Sequence, residues 1–222
     1  PFHKIGTDKQ ERYDLSRAYI AEMARYKISA RSPGSAGVWD PDKETLGPFG
    51  SEEKEFSWAL DKLHVTGCGV GHFSGPSLGE ETVESATPTA ERYDAMAAML
   101  KRRGWLKYAY IQIDEPQPRH YPGMRNWIEA FRRQPHAKDI PMFALVYSGQ
   151  CYEALHDCVD ILVPENNDGG NVVSATAVAR WPKEKEVWCY WTNTAHQWID
   201  SPNINARLWS SKVWWMGARG MA

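Results

Sequence analysis

The sequence predicts an α/β fold: a single domain over residues 1–222 built as a partial TIM-type (β/α)8 barrel, with its first and last strands missing from this chain. Three observations predict it. Helical and strand-like periods alternate strictly along the chain, which implies βα units and a parallel sheet. The alternation opens on a helix with no strand before it, and six strand-like runs follow, near residues 28, 65, 108, 142, 160 and 187. A closed barrel needs eight. The chain then stops at Gly217-Ala-Arg-Gly-Met-Ala222, where a last strand should begin. A six-stranded open sheet covered on both faces is the alternative.

Residues 8–26 read as a helix whose apolar face is Leu15, Tyr19, Met23 and Tyr26. Ile28–Arg31 follows as a short strand, closed by Ser32-Pro33-Gly34, and a polar loop runs to about Gly50. Ser51 caps a second helix, with Glu52 and Glu53 in its first turn and Phe56, Leu60 and Leu63 on its face. Val65–Val70 reads as a glycine-broken strand, and Gly71–Ala86 as a loop. Thr87-Pro88 starts a third helix, with proline at the first helical position. Tyr93, Met96 and Leu100 form one face of that helix, and Arg103-Gly104 stops it.

Tyr108-Ala-Tyr-Ile-Gln-Ile-Asp-Glu-Pro116 is the central strand. Alternation puts Tyr108, Tyr110, Gln112 and Asp114 on one side and Ala109, Ile111 and Ile113 on the other. The wholly apolar side suits packing under helices; the side with polar tips suits a barrel mouth. Pro116 has no N–H and cannot continue a central strand, so Asp114 ends it and Glu115 lies in the loop beyond. Successive strand residues point opposite ways. Both carboxylates therefore reach one pocket only if the backbone turns between them, and a solvated Asp-Glu-Pro turn is the structural alternative.

A fourth helix covers about 121–134, with Met124, Ile128 and Phe131 facing inward. Pro141–Tyr147 and Val159–Val163 are strands on either side of a short helix near Cys151–His156. The Asn166–Asn171 loop leads to a helix over 174–181, then a strand over Glu186–Trp191, and a last helix over about 204–216.

Composition narrows the function. With 42% hydrophobic and 24% charged residues, the chain can bury one sizeable core. Net charge is −2 with no basic run, so no nucleic-acid partner is expected. No apolar stretch is long enough to span a bilayer. No signal peptide is visible, and the first residue is Pro1 rather than Met, which leaves processing or membership of a longer chain open. The four cysteines form no CxxC pair, although Cys151 and Cys158 are close enough in sequence to be bridged. The seven histidines show no HxH or HExxH spacing, so no zinc site is expected, and with no Walker loop in the sequence no cofactor is expected either. Gly67-Cys-Gly-Val-Gly71 departs from a nucleotide-binding glycine loop at His72 and reads as a bent strand end. Seven of the eleven tryptophans lie between Trp181 and Trp215; such rings serve as core or as sugar-stacking platforms.

In a barrel the chemistry sits at the carboxyl ends of the strands. The residues there are Arg31, His72, Asp114 with Glu115, Tyr147, Glu165 with Asn166, and Trp191 with Asn193. Carboxylates, an aromatic rim and amide side chains together suit a sugar site, although each residue outside the Asp-Glu pair also suits a purely structural role.

Gly104-Trp-Leu-Lys-Tyr-Ala-Tyr-Ile-Gln-Ile-Asp-Glu-Pro116 resembles the signature of the catalytic domain of glycoside hydrolase family 123, a β-N-acetylgalactosaminidase family with uncharacterised barrel homologues. Val159-Asp-Ile-Leu-Val-Pro164, Glu186-Val-Trp-Cys-Tyr-Trp191 and the tryptophan-rich end are also similar to it. The resemblance implies a retaining hydrolase that releases terminal N-acetylhexosamine. In that chemistry the sugar's own acetamido oxygen is the nucleophile. Asp114 would orient the acetamido N–H, and Glu115 would act as general acid and then general base. Tyr147, Tyr190, Trp191 and Asn193 are the candidate sugar contacts, with Glu165, His72 and Arg31 lining the same mouth. The implied partner is a glycan or glycoconjugate, which favours a secreted or periplasmic setting. A carbohydrate-binding barrel without catalysis, and a glycosidase of different specificity, are the alternatives.

Overall fold

The structure is a computed structural model that describes residues 9–26, 39–40, 45–46, 56–146, 154–164, 185–189, 214 and 217–221. Three α-helices are described: α1 (Lys9–Arg25), α2 (Val83–Arg102) and α3 (Tyr121–Arg132). A two-residue antiparallel pair, β1 (Trp39–Asp40) with β2 (Thr45–Leu46), stands apart from the main sheet. That sheet consists of β3 (Cys68–Ser74), β4 (Ala109–Asp114), β5 (Met142–Val146), β6 (Ile161–Pro164), β7 (Glu186–Cys189) and β8 (Gly220–Met221), hydrogen-bonded in that order and all parallel. Alternating elements and a sequential parallel sheet place the protein in the α/β class. The stretch from Gly217, where a last strand is expected to begin, contributes β8, while the expected strand at Ile28–Arg31 lies outside the described residues.

The two faces of the sheet differ. Ala109, Ile111 and Ile113 of β4, with Met142, Ala144, Val146 and Leu162, are buried against α2 and α3. Each fully buried Ile there stabilises the fold by roughly 1.5–3 kcal/mol. From the helices come Tyr93, Met96 and Leu100 of α2 and Met124, Ile128 and Phe131 of α3, the faces that helical periodicity picks out. The opposite face carries a second cluster made of strand residues alone: Phe143, Leu145, Ile161 and Val163, flanked by Tyr110 and Trp188.

Helix α2 ends as expected, with Arg103 as its cap and Gly104 at φ 72°. Its start is earlier than expected. Thr82 accepts from the Ser85 N–H and Ser85 Oγ accepts from the Thr82 N–H, a reciprocal cap that starts the helix at Val83 and leaves Pro88 inside it. Satisfying two orphan N–H groups outweighs the single bond that Pro88 cannot donate.

Other boundaries also shift. Strand β3 runs on to Ser74, so Gly71–Ser74 is strand rather than loop, followed by a 3-10 turn at Gly75–Leu78. In α1 the side chains turned to the core are Ile20 and Ala24, whereas Tyr19 and Tyr26 are 56% and 68% exposed. The buried stripe is thus rotated by about one residue from the expected one. The expected second helix is described as a π-helical turn over Ser57–Lys62, with Phe56 and Leu60 buried. Tyr108 lies in a 3-10 turn before β4 and packs toward the helix-side core, so it does not share a face with Tyr110. Cys158 is a free thiol. No helix among the described residues is long and apolar enough to cross a membrane.

Candidate active site

The site begins with an irregularity in β3. Cys68 pairs with Ala109 and Gly69 with Tyr110, but it is Gly71, not Val70, that pairs with Ile111. Val70 is therefore an extra residue, a β-bulge, and beyond it the alternation of faces is reversed. Cys68 and Val70 point into the helix-side core, and so does Phe73. His72 and Ser74 are thereby turned to the opposite face, in register with Gln112 and Asp114. A strand without the bulge would send His72 into the core.

The packing beneath the bulge is specific. Tyr93 of α2 is 3% exposed, and its hydroxyl donates to the Val70 carbonyl at 3.4 Å. Burial raises its phenol above the ordinary tyrosine range, so it stays a donor. A Cβ on Gly71 would lie 2.6 Å from that hydroxyl oxygen, so the position accepts only glycine without displacing the ring. One residue after the strand, a Cβ on Gly75 would collide with the backbone of Pro116. The ends of β3 and β4 therefore lie in direct contact.

The two strand ends bring together three polar side chains. His72 Nε2 lies 3.4 Å from Asp114 Oδ2. Gln112 Nε2 donates to Asp114 Oδ1, also at 3.4 Å. Each oxygen of the carboxylate thus faces one nitrogen. Both distances exceed the usual N–H···O range. The site is open: the side chains of His72 and Asp114 are 34% and 41% exposed.

Glu115 follows at φ 45°, in the left-handed region that a residue with a side chain enters at a cost of about 1–3 kcal/mol. The backbone turns there, and the strand ends at Asp114, as Pro116 led one to expect. The Glu115 side chain is exposed. Deeper on the same face, Tyr110, Phe143 and Trp188 form an aromatic floor, with ring centroids 5.1 Å apart for Tyr110–Phe143, 6.4 Å for Tyr110–Trp188 and 5.8 Å for Phe143–Trp188. Trp188 Nε1 donates to Glu186 at 2.8 Å, which fixes that ring.

Of the candidates read from sequence, the structure brings His72 and Asp114 together, with Glu115 adjacent in the chain. Arg31, Tyr147, Glu165, Asn166, Tyr190, Trp191 and Asn193 lie outside the described residues. Gln112 joins the site from outside the sequence candidates; strand alternation already puts it two residues behind Asp114 on the same side. The reversal at Val70 left a trace as well, in the glycines on either side of it. Among the described residues no group of three His, Cys, Asp or Glu side chains is placed to hold a metal ion. Cys68, 1% exposed, has its thiol pushed well up by burial, and it offers no nucleophile.

What the arrangement can do follows from its parts. A carboxylate with a nitrogen near each oxygen can receive an N–H or O–H from a ligand. An adjacent carboxyl group on a turned backbone can exchange a proton with it. An aromatic floor can lie under an apolar sugar face. A scan against models of known protein families finds no match for this chain, and a search of curated proteins finds none either.

Proposed function

We propose that the chain is the catalytic part of a retaining glycoside hydrolase, on a TIM-type barrel, that releases terminal N-acetylhexosamine from glycans, with N-acetylgalactosamine the favoured sugar. The observation that carries the reading is the end of β4. Gln112 and His72 each place a nitrogen 3.4 Å from one oxygen of Asp114, and the chain turns at Glu115 immediately after it. The sequential parallel sheet, with a purely strand-built cluster on the face that carries Asp114, supports the barrel.

In this mechanism the acetamido oxygen of the substrate attacks its own anomeric carbon. Asp114 accepts the acetamido N–H, which turns the carbonyl oxygen toward that carbon and stabilises the positive charge of the oxazolinium ring. As the C–O bond to the leaving group breaks, the Glu115 carboxyl gives its proton to the departing oxygen. Water then adds to the anomeric carbon, Glu115 takes its proton, and the acetamido group re-forms with retained configuration. General acid–base assistance of this kind is worth about 10²–10⁴ in rate.

The test is Glu115→Gln. It should lower kcat by about 10²–10⁴ on glycans with poor leaving groups and much less on activated aryl 2-acetamido glycosides, whose leaving group needs no proton. Equal losses on both would refute the acid role. A thiazoline mimic of the intermediate should inhibit competitively; hydrolysis of substrates lacking the acetamido group would instead indicate a glycosidase of different specificity. The exposure of both carboxylates favours a second reading, a carbohydrate-binding barrel without catalysis. In that case the thiazoline and the sugar bind and no substrate turns over.

A further inference from the structure

We infer that His72 is the positioning residue for Asp114, and that the β-bulge at Val70 is the structural device that delivers it. The inference rests on the reading of Asp114 as the group that holds the substrate's acetamido N–H, and it changes His72 from a sugar contact into a residue that acts through Asp114.

The argument starts from parity. Cys68, Val70, His72 and Ser74 share one face of a regular strand, and Cys68 and Val70 are buried in the helix-side core. A regular β3 would therefore bury an imidazole among apolar side chains and leave Asp114 without it. The bulge reverses the alternation after Val70, so that Phe73 takes the core position and packs on Trp127 at 4.5 Å, while His72 faces Asp114. Two further features hold the reversal in place. The buried Tyr93 hydroxyl donates to the carbonyl of the extra residue, and Gly71 leaves the space that hydroxyl occupies. Bulges next to sites commonly re-aim one side chain in this way.

The chemistry follows from where the nitrogens lie. His72 Nε2 stands 3.4 Å from Asp114 Oδ2, within reach of a hydrogen bond when the ligand-bound site draws the strand ends together, while Gln112 Nε2 donates to Oδ1. Between them the two donors restrain rotation of the carboxylate plane and leave its outer lone pairs free for a substrate N–H. A misaligned Asp114 still binds the sugar but no longer sets the acetamido oxygen in line with the anomeric carbon, and misplacements of this size cost on the order of a hundredfold in rate. The effect therefore falls on kcat and leaves KM nearly unchanged.

The experiment is a double-mutant cycle on aryl 2-acetamido glycosides with the whole chain. His72→Ala should lower kcat on the order of a hundredfold with little change in KM. His72→Gln, which places an N–H near the position of Nε2, should recover most of the loss. In an Asp114→Ala background, His72→Ala should have no further effect, because its route to the substrate is already gone. Losses that multiply in the double variant would show that His72 touches the substrate directly and would overturn the inference. A second readout is independent of turnover: ring ¹⁵N shifts of His72 should report the proton on Nε2, and Asp114→Ala should change that signature. An unchanged signature overturns the inference even if the protein proves inactive, whereas inactivity of the unmodified protein with a changed signature refutes only the proposed function.

Discussion

Gly71 gives the sharpest test of how this site is built. A methyl group there would lie 2.6 Å from Tyr93 Oη, 3.1 Å from Tyr93 Cε1 and 3.1 Å from Phe73 Cε2. Both rings are held by aromatic neighbours. Tyr93 packs on Phe131 with centroids 5.2 Å apart, and Phe73 on Trp127 at 4.5 Å, all within the buried core or packed on it. Forcing a methyl into such packing costs about 1–3 kcal/mol. Moving the hydroxyl also breaks its bond to the Val70 carbonyl, which adds about 1 kcal/mol. Gly71→Ala should therefore destabilise the protein by roughly 2–4 kcal/mol and lower Tm by about 2–4 °C for each of those kcal/mol. Urea unfolding followed by tryptophan fluorescence measures the cost directly. Tyr93→Phe removes the atom that makes the closest contact, so the double variant should be more stable than the sum of the single losses allows, by about 0.5–3 kcal/mol. Strict additivity, or a Gly71→Ala cost below about 0.5 kcal/mol, the level of an ordinary surface change, would refute the account of the bulge.

Glu115→Gly should be about 1 kcal/mol more stable than Glu115→Ala, read as a higher unfolding midpoint, because both remove the same side chain and only glycine enters the φ 45° region without strain; either change should lower the proposed turnover on glycans as Glu115→Gln does. Asp157 receives Arg125 Nη2 at 2.6 Å, and these hydrogen bonds hold its carboxyl at about 2. The folded value lies below the unfolded one of about 3.9, so the contribution is present above about pH 4 and is lost as pH falls toward the folded value. Because both side chains are substantially exposed, Asp157→Asn should cost at most about 1 kcal/mol at neutral pH, a difference in unfolding midpoint that closes in the acid range.

What the sequence determined by itself is what short-range physics specifies. Strand β4 could be placed because apolar alternation and Pro116 act within a few residues, and its last residue, Asp114, follows from the proline alone. The inward faces of α2 and α3 follow from a 3.6-residue period, and the end of α2 from a glycine free to take a positive φ. The start of α2 did not follow in the same way: the expected start at Thr87-Pro88 gives way to Val83, because Thr82 and Ser85 cap each other's N–H groups. Only the tertiary structure decided where β3 stops and which way His72 faces. A bulge is defined by the strand beside it: Val70 is an extra residue only relative to the pairing of Gly69 with Tyr110 and Gly71 with Ile111. The glycines on either side of Val70 allow a bulge and the sequence puts His72 at the same mouth as Asp114, but the register that turns His72 toward that carboxylate was set only by β4 and the Tyr93 hydroxyl.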